Sequence, residues 1–173
     1  AAAGLKVPFG KLVTTQELLA GDPMPRPFVV KPANEGSSVG VHIFHDRDNK
    51  TWKDCHESRV MGHEENIPMT HDSGLMTYLV EEYISGREIT VAVLNDVPLG
   101  VTEIRPISGF YDYENKYTDG KTEHLCPAQL STEESNSVMQ MALVAHRALG
   151  CRGLTRSDFR YDGKNFYILE INT

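Results

Sequence analysis

Residues 155 to 172 constrain the fold more than any other segment, because two runs of alternating polar and apolar residues meet there at an Asp-Gly dipeptide. Such a dipeptide between alternating runs is the strongest short-range signal for a β-hairpin. We expect a three-residue loop at Asp162 to Lys164, with Tyr167, Leu169 and Ile171 together on one face of the second strand. The sequence therefore predicts an antiparallel hairpin in this part of the chain.

The other face of this hairpin is expected to carry three oxygen ligands and a guanidinium. Side chains two positions apart share a face, so Arg156 lies with Asp158, and Glu170 lies with Asn172. In the expected register Arg156 lies opposite Glu170, and Asp158 lies diagonal to it. Carboxylates this close repel each other unless a cation lies between them, and this ligand set suits Mg²⁺ with water and phosphate completing its shell. The alternative is a solvated face with an Arg-Glu pair worth about 0 to 1 kcal/mol.

Composition narrows the class of protein. A chain of 173 residues with 40% hydrophobic content can bury a core, in one domain or in two small lobes. The net charge of -7 disfavours nucleic acid or an anionic membrane as the main partner. No apolar run reaches about 18 residues, no signal peptide is present, and the three cysteines lack metal-site or disulfide spacing. We therefore expect a globular cytoplasmic protein.

The remaining segments predict short strands and three helices, one of them at Lys50 to Val60. Thr14 or Thr15 can cap a short helix that ends at Leu19, and a capping box at residues 131–134 begins a helix that ends near Leu149. The predicted strands are residues 28–31, 39–44, 75–84, 88–94 and 97–104. Residues 106–124 show no periodicity and predict a long ordered loop, which is typical of a functional lid. This order indicates an α+β fold dominated by antiparallel hairpins.

Two of these connections carry residues suited to a nucleotide. Lys31 ends a predicted strand and is followed by the turn Gly36-Ser37-Ser38, whose backbone N–H groups and hydroxyls suit a phosphate. An ordinary hairpin turn is the alternative interpretation. The segment from Glu81 to Glu88 places one carboxylate before a tight turn and one after it, and carboxylates accept hydrogen bonds from amino groups or ribose hydroxyls.

The order of the motifs resembles one known family. The chain contains, in sequence, Lys-Pro-x-x-x-Gly-Ser-Ser-x-Gly-Val, Glu-Glu-Tyr-Ile-x-Gly-x-Glu, Tyr-Asp-Tyr-x-x-Lys-Tyr, Arg-x-Asp-Phe and Glu-Ile-Asn-Thr. This series resembles the ATP-grasp fold and, more narrowly, the D-alanine-D-alanine ligase family, from about Gly4 to Thr173. The resemblance implies two lobes, each an antiparallel sheet with flanking helices, with the nucleotide between them. We place the lobes at residues 1–84 and 85–173.

The resemblance also implies which residues bind ATP. The phosphates, the adenine and the ribose each receive their own contacts. The expected residues are Lys31, Gly36, Ser38 and Lys116 for the phosphates, Glu81, Tyr83 and Ile84 for the adenine, and Glu88 for the ribose hydroxyls.

The metal and catalytic residues follow from the same resemblance. Two Mg²⁺ ions, replaceable by Mn²⁺, are expected at Asp158, Glu170 and Asn172. The resemblance assigns Arg156 to the acyl phosphate and to the oxyanion that forms on amine attack. Ser37 and Tyr117 match the pair that closes a lid over the substrates, and the lid itself is expected at Gly109 to His124, which contains Lys116.

The implied reaction is ATP-dependent ligation of two D-alanines to D-alanyl-D-alanine, for peptidoglycan precursor synthesis. A carboxylate is a poor electrophile, so phosphorylation to an acyl phosphate is needed, and that intermediate must be kept from water. One alternative is another ATP-grasp ligase that joins a carboxylate to a different amine. A second alternative is a nucleotide-binding module without catalysis.

The chain lacks parts of the family pattern. The family's amino-terminal domain, which helps bind the first D-alanine, is absent, as is the Pro-Gly-rich segment after the Glu-x-Asn motif. The chain begins without methionine and stops at Thr173, so we expect it to be part of a larger protein and to be inactive alone. We expect the full-length protein to be a homodimer.

Overall fold

A computed structural model of the chain describes residues 3–34, 40–55, 76–106 and 122–173, and the elements and contacts below concern these ranges. The chain forms two compact units. The first unit is Phe9–Tyr83, and the second unit combines Ala1–Pro8 with Ile84–Thr173. The segment before Phe9 belongs to the second unit through contacts such as the bond from the Ile168 N–H to the Lys6 carbonyl at 3.0 Å.

Within its described residues, the first unit contains β1 Gly10–Thr14, α1 Thr15–Ala20, β2 Phe28–Pro32, β3 His42–Phe44 and β4 Thr77–Glu82. The strands pair antiparallel in the order β1-β4-β2-β3. Thr14 caps α1, because its hydroxyl accepts the Glu17 N–H at 3.3 Å and the Glu17 carboxylate accepts the Thr14 N–H at 2.7 Å. This reciprocal pair satisfies two N–H groups that have no partner within a helix. The predicted helix start is confirmed.

Alternate residues of the first sheet face a buried cluster. Phe28 and Val30 on β2 and Tyr78 and Val80 on β4 are each at most 3% exposed. They pack with Val13, Leu18, Phe44, Trp52 and Cys55. Because side chains alternate along a strand, the intervening residues of β2 and β4 lie on the opposite face of the sheet.

Within its described residues, the second unit contains β5 Arg87–Leu94, β6 Val97–Pro106, β7 Thr122–Leu125, α2 Thr132–Ala148, β8 Leu154–Tyr161 and β9 Phe166–Asn172. The strands pair antiparallel in the order β7-β6-β5-β8-β9. Ser131 caps α2 in the predicted capping box with Glu134. Apolar residues of α2, such as Val138 and Ala142, pack against one face of this sheet, which leaves the other face for polar side chains.

The predicted α+β fold with antiparallel sheets is confirmed, with differences at single elements. β1 was not predicted, because Val13 is its one buried residue and a single buried position gives no alternation. Thr122 to Leu125 form β7 at the edge of the second sheet, although the prediction placed residues up to 124 in a loop. Exposed edge strands need no apolar face, so polar residues there resemble a loop. No helix in the described ranges is long and apolar enough to cross a membrane.

The loop of the terminal hairpin is longer than predicted. Tyr161 pairs with Phe166, so the loop is Asp162 to Asn165 and has one residue more than expected. The Asp162 carboxylate accepts the backbone N–H groups of Lys164 and Asn165 at 2.7 and 2.6 Å. These bonds lower the pKa of Asp162 below its usual value. An aspartate that bonds its own turn in this way selects the longer loop.

A β-bulge at Leu169 changes the pairing beyond the loop. Phe159 pairs with Ile168 and Asp158 pairs with Glu170, so Leu169 is an additional residue of β9. The predicted pairing of Arg156 with Glu170 is therefore wrong, since Arg156 pairs with Asn172.

The bulge also separates the apolar residues that were expected to share one face of β9. Tyr167 pairs with Arg160, whereas Ile171 pairs with Ser157, and these two β8 residues lie on opposite faces. The expectation that Tyr167, Leu169 and Ile171 share a face is therefore wrong. A bulge reverses the alternation because it adds one residue to one strand only.

Candidate functional site

One face of the second sheet, here called the polar face, lies opposite the α2 core. Ile89, Val91 and Val93 of β5 are fully buried in that core, so Glu88 and Thr90 point the other way. The residues that share the polar face are Glu88, Thr90, Arg156, Asp158, Arg160, Glu170 and Asn172. The bulge at Leu169 is what places Glu170 and Asn172 on this face.

Asp158 is the centre of a hydrogen-bond network on the polar face. The residue is 6% exposed. Oδ1 accepts the Thr90 hydroxyl at 2.6 Å and the Arg156 Nε–H at 3.1 Å. Oδ2 accepts Arg156 Nη2 at 3.0 Å and Asn172 Nδ2 at 3.1 Å. These four bonds match the number of acceptor positions on an ionised carboxylate.

Arg156 holds Asp158 with two parallel bonds while much of its side chain stays in solvent. The Arg156 side chain is 53% exposed, compared with 8% for Asp158. A planar guanidinium that grips a carboxylate in this way also matches a phosphate or another oxyanion. The exposure of Arg156 therefore leaves it able to exchange one anionic partner for another.

The oxygen atoms on this face suit a hard divalent cation. Glu170 lies opposite Asp158 on the neighbouring strand and is exposed, as is Asn172. Because the Asn172 nitrogen donates to Asp158, its carbonyl oxygen is not used in that bond. Among the described residues, no three His, Cys, Asp or Glu side chains cluster closely enough to hold a metal by themselves. Two carboxylates and an amide oxygen fit Mg²⁺, which retains water and phosphate oxygens as its other ligands.

Glu88 lies on the polar face diagonal to Asp158, because it is two positions from Thr90 on β5. It pairs across the sheet with Arg160, and its Oε2 lies 3.5 Å from Arg160 Nη1. Arg160 also donates through Nε to the Ile84 carbonyl at 3.0 Å. Arg160 therefore links the carboxylate that was predicted to bind ribose with the backbone that was predicted to lie near the adenine.

The first unit places two more predicted residues together. Lys31 on β2 and Glu81 on β4 lie on the sheet face opposite the core and form an ion pair between Nζ and Oε2. Both side chains are largely shielded, at 27% and 11% exposure. A partly buried lysine and glutamate on a sheet face can offer one donor and one acceptor to the same ligand.

Gly10 makes room for Glu81. The two residues pair across β1 and β4, and a Cβ atom on Gly10 would lie 2.8 Å from the Glu81 Cγ and 2.9 Å from the Val80 carbonyl oxygen. A Cβ atom, which forms no hydrogen bond, essentially never comes this close to another heavy atom, so any larger residue here would displace the Glu81 side chain or the strand.

Tyr83 and Ile84 lie where the first unit ends and the second begins. The Tyr83 N–H donates to the Pro27 carbonyl at 3.1 Å, and the Tyr83 ring packs edge-on against His45 at 5.4 Å. The Tyr83 N–H is therefore already used within the first unit. The Ile84 carbonyl accepts from Arg160, as described above.

Some predicted site residues lie outside the described residues. They are Gly36, Ser37, Ser38, Lys116 and Tyr117. Most of the predicted lid, residues 109–121, lies there too.

Sequence reasoning missed Thr90, Arg160 and Gly10, which contact or accommodate predicted site residues. Thr90 and Arg160 had a usable signal, because each is two positions from a predicted site residue on the same strand face. Gly10 had no such signal, because the register that brings it opposite Glu81 appears only in the folded sheet.

A second cluster of charged side chains lies on β5 and β6, and it contributes to the stability of the fold more than to ligand binding. Glu103 is 2% exposed and forms ion pairs with Arg87 and Arg105. Hydrogen bonds from Arg87 lower the pKa of Glu103 to about 2. Burial opposes this shift, and hydrogen bonds from Arg105 add to it. A buried carboxylate with two arginine partners stays ionised through the physiological range.

Known proteins resemble this chain in sequence. A family model described as D-ala D-ala ligase C-terminus matches residues 21–173. The D-alanine--D-alanine ligase of Granulibacter bethesdensis is 51% identical over 177 residues, which cover 99% of this chain and 53% of that protein. The chain thus spans about half the length of the curated relatives it matches.

Two solved structures share the fold of the chain. A D-alanine--D-alanine ligase from Bacillus anthracis is 26% identical with a TM-score of 0.68, and covers 99% of this chain and 53% of its own. The VanG D-Ala:D-Ser ligase from Enterococcus faecalis is 27% identical with a TM-score of 0.71, and the match covers 99% of this chain and 49% of its own.

Proposed function

We propose a function for the whole protein from one premise, namely that this chain belongs to the family of D-ala D-ala ligase C-terminal regions. The proposed reaction joins two D-alanines to D-alanyl-D-alanine at the expense of ATP, through an acyl phosphate. Its product supplies peptidoglycan precursors, and the reaction takes place in the cytoplasm, where ATP and Mg²⁺ are present.

The first unit carries residues for the nucleotide in this proposal. Lys31 contacts the phosphates, and Glu81 accepts a hydrogen bond from the adenine amino group. The ion pair between these side chains supports the assignment, because it holds both on the sheet face away from the core. We assign the two lobes of the ATP-grasp fold to residues 1–84 and 85–173. The boundary between the compact units at Tyr83 and Ile84 supports a division there, whereas Ala1–Pro8 belongs to the second compact unit.

The second unit carries residues for the metal and the ribose. Asp158, Glu170 and Asn172 are the proposed ligands of two Mg²⁺ ions, and Glu88 is the proposed ribose contact. Mg²⁺ supplies positive charge that offsets the charge of the phosphates during transfer. The shared sheet face supports the metal assignment, as does the Asn172 amide, which bonds Asp158 through its nitrogen and not through its oxygen.

Arg156 stabilises negative charge on the reacting groups in this proposal. Its guanidinium lies beside the proposed metal ligands and is half exposed. It neutralises the acyl phosphate and then the oxyanion that forms when the second D-alanine attacks. The resemblance assigns phosphate and lid roles to further residues, and the proposal keeps them for Lys116, Tyr117 and the segment Gly36 to Ser38, which includes Ser37.

One observation carries the proposal most directly. The bulge at Leu169 places Asp158, Glu170, Asn172 and Arg156 on one sheet face in a chain of this family. Together these side chains provide two carboxylates, an amide oxygen and a guanidinium, which are the groups that a site for Mg²⁺ and phosphate uses.

Phosphate release by the full-length protein tests the reaction. The assay contains ATP and Mg²⁺ with D-alanine, D-serine, D-lactate or L-alanine, and mass spectrometry identifies the product. We expect release that depends on D-alanine, with D-alanyl-D-alanine as the product. Release with a different amine alone would identify another carboxylate-amine ligase. Binding of ATP without release under every condition would identify a non-catalytic nucleotide-binding module.

D-Serine belongs in that panel for a specific reason. The fold match to the VanG D-Ala:D-Ser ligase is as good as the match to a D-alanine--D-alanine ligase. An assay in which D-alanine and D-serine compete therefore decides which amine is the acceptor.

The homodimer expected for the full-length protein stays a prediction, which sedimentation of that protein tests.

A further inference from the structure

We infer that Thr90 is a positioning residue for the proposed metal site, because its hydroxyl holds the Asp158 carboxylate in the orientation that receives the cation. This inference rests on the proposed function, since it requires Asp158 to be a metal ligand. Thr90 was not among the residues that the sequence motifs indicated.

The position of Thr90 favours hydrogen bonding from its hydroxyl to one acceptor, Asp158. Thr90 on β5 lies directly opposite Asp158 on β8. Its Oγ1 lies 2.6 Å from Asp158 Oδ1 and 3.4 Å from the Ser157 carbonyl oxygen. Because a hydroxyl has one proton and the carboxylate is both nearer and charged, the proton is directed at Oδ1.

The contact between Arg156 and Asp158 is easier to exchange than the contact between Thr90 and Asp158. All four acceptor positions of the carboxylate are filled, so a cation can bind only if another partner leaves. Arg156 reaches Asp158 from a long side chain that is 53% exposed, and it can move into solvent or toward an anion. Arg156 is therefore a partner that a cation can replace, and its two bonds reach both oxygens of the carboxylate.

Thr90 cannot leave in the same way. Its short β-branched side chain has few rotamers, and β5 is held between β6 and β8 in the centre of the sheet. The hydroxyl therefore keeps Oδ1 in place while Arg156 exchanges partners. A second partner that fixes a metal ligand commonly changes metal affinity by about 10- to 100-fold.

The test is Mn²⁺ binding to the full-length protein in the presence of ADP, measured by electron paramagnetic resonance against an ADP-only blank. Thr90→Val removes the hydroxyl at nearly constant shape, and Thr90→Ser restores it. Thr102→Val is the matched control, because Thr102 pairs with Thr90 on β6 and lies on the same face one strand further from Asp158. ADP binding in the presence of EDTA reports on the nucleotide site without metal.

We expect Thr90→Val to weaken Mn²⁺ binding by about tenfold, with Thr90→Ser and Thr102→Val within about threefold of the parent. Metal-free ADP binding should be unchanged in all three variants. If valine disturbs the sheet, Thr90→Ala tests the same loss without added bulk. Equal losses for the valine and serine variants, or a loss of metal-free ADP binding, would contradict the inference.

Asp158→Asn separates this inference from the proposed function. If Asp158→Asn weakens Mn²⁺ binding and Thr90→Val does not, the metal site stands and the role of Thr90 is wrong. If Asp158→Asn leaves Mn²⁺ binding unchanged, Asp158 is not a ligand and the metal part of the proposed function fails first.

Discussion

Glu170 lies directly opposite Asp158 across β8 and β9, and it does so because Leu169 is an additional residue in β9. In a regular pairing continued from the loop, Asp158 would meet Leu169 and Glu170 would point toward the α2 core. The bulge therefore brings two carboxylates onto one face, where their repulsion is offset by Arg156 and, in the proposed function, by Mg²⁺.

Replacing Glu170 tests the metal site. Glu170→Gln keeps the size of the side chain and removes its charge. We expect the Mg²⁺ dependence of ADP binding to weaken by about tenfold, because the affinity for a hard cation falls when a charged ligand is replaced by a neutral one. Isothermal titration of the full-length protein with ADP at increasing Mg²⁺ measures this change. Glu123→Gln, an exposed glutamate on β7, is the control and should match the parent. An unaltered Mg²⁺ titration for Glu170→Gln would remove this residue from the site.

Replacing Arg156 tests charge stabilisation in the reaction. Arg156→Ala should lower kcat by about 10²- to 10³-fold, equivalent to about 2.7 to 4 kcal/mol, because the oxyanion loses its donor. Arg156→Lys retains the charge but loses the planar pair of donors, so we expect only partial recovery. Steady-state phosphate release by the full-length protein provides the measurement. Arg152→Ala, an exposed arginine before β8, serves as the control. A kcat within a few-fold of the parent for Arg156→Ala would rule out this role.

The pH dependence of stability should report on Glu103. Its pKa falls from 4.5 to about 2 on folding, chiefly because of Arg87. The stabilisation is therefore complete above about pH 4.5 and is lost as the pH falls through about 2. Glu103→Gln should lower the free energy of unfolding by roughly 3 kcal/mol at neutral pH, and its difference from the parent should shrink as the pH approaches 2.

Urea denaturation of the full-length protein from neutral pH to about pH 3 measures this effect. Asp96→Asn breaks the exposed pair with Arg147 and is the control, with an expected change below about 1 kcal/mol. A difference between Glu103→Gln and the parent that stays constant with pH would show that Glu103 titrates normally in the folded protein.

Gly10 should matter for nucleotide recognition through Glu81. Gly10→Ala places a methyl group 2.8 Å from the Glu81 Cγ, so Glu81 must move. We expect the Kd for ATP to rise by about tenfold, which corresponds to the loss of roughly one hydrogen bond to a charged group. We also expect the preference for ATP over GTP to fall. Competition titration with both nucleotides measures the two effects. Gly100→Ala is the control, because a Cβ there meets no atom within 4 Å. Unchanged affinity and selectivity in Gly10→Ala would mean that Glu81 does not contact the base.

The amino-acid sequence determined the elements whose signals are local. Alternation predicted β5 and the terminal hairpin, and reciprocal capping residues predicted the start of α2 at Ser131. The order of five motifs predicted the family, which the matched region confirms. These features depend on neighbouring residues, so periodicity, capping chemistry and motif order were sufficient.

The tertiary structure decided the features that depend on pairing between distant residues. The bulge at Leu169, the Thr90 bond to Asp158 and the close approach of Gly10 to Glu81 each depend on which residues face one another across strands. A shift of one residue moves every side chain of a strand to the other face, and the sequence contains no local signal for such a shift. The composition of the polar face was therefore predictable from sequence, whereas its geometry was set by strand register.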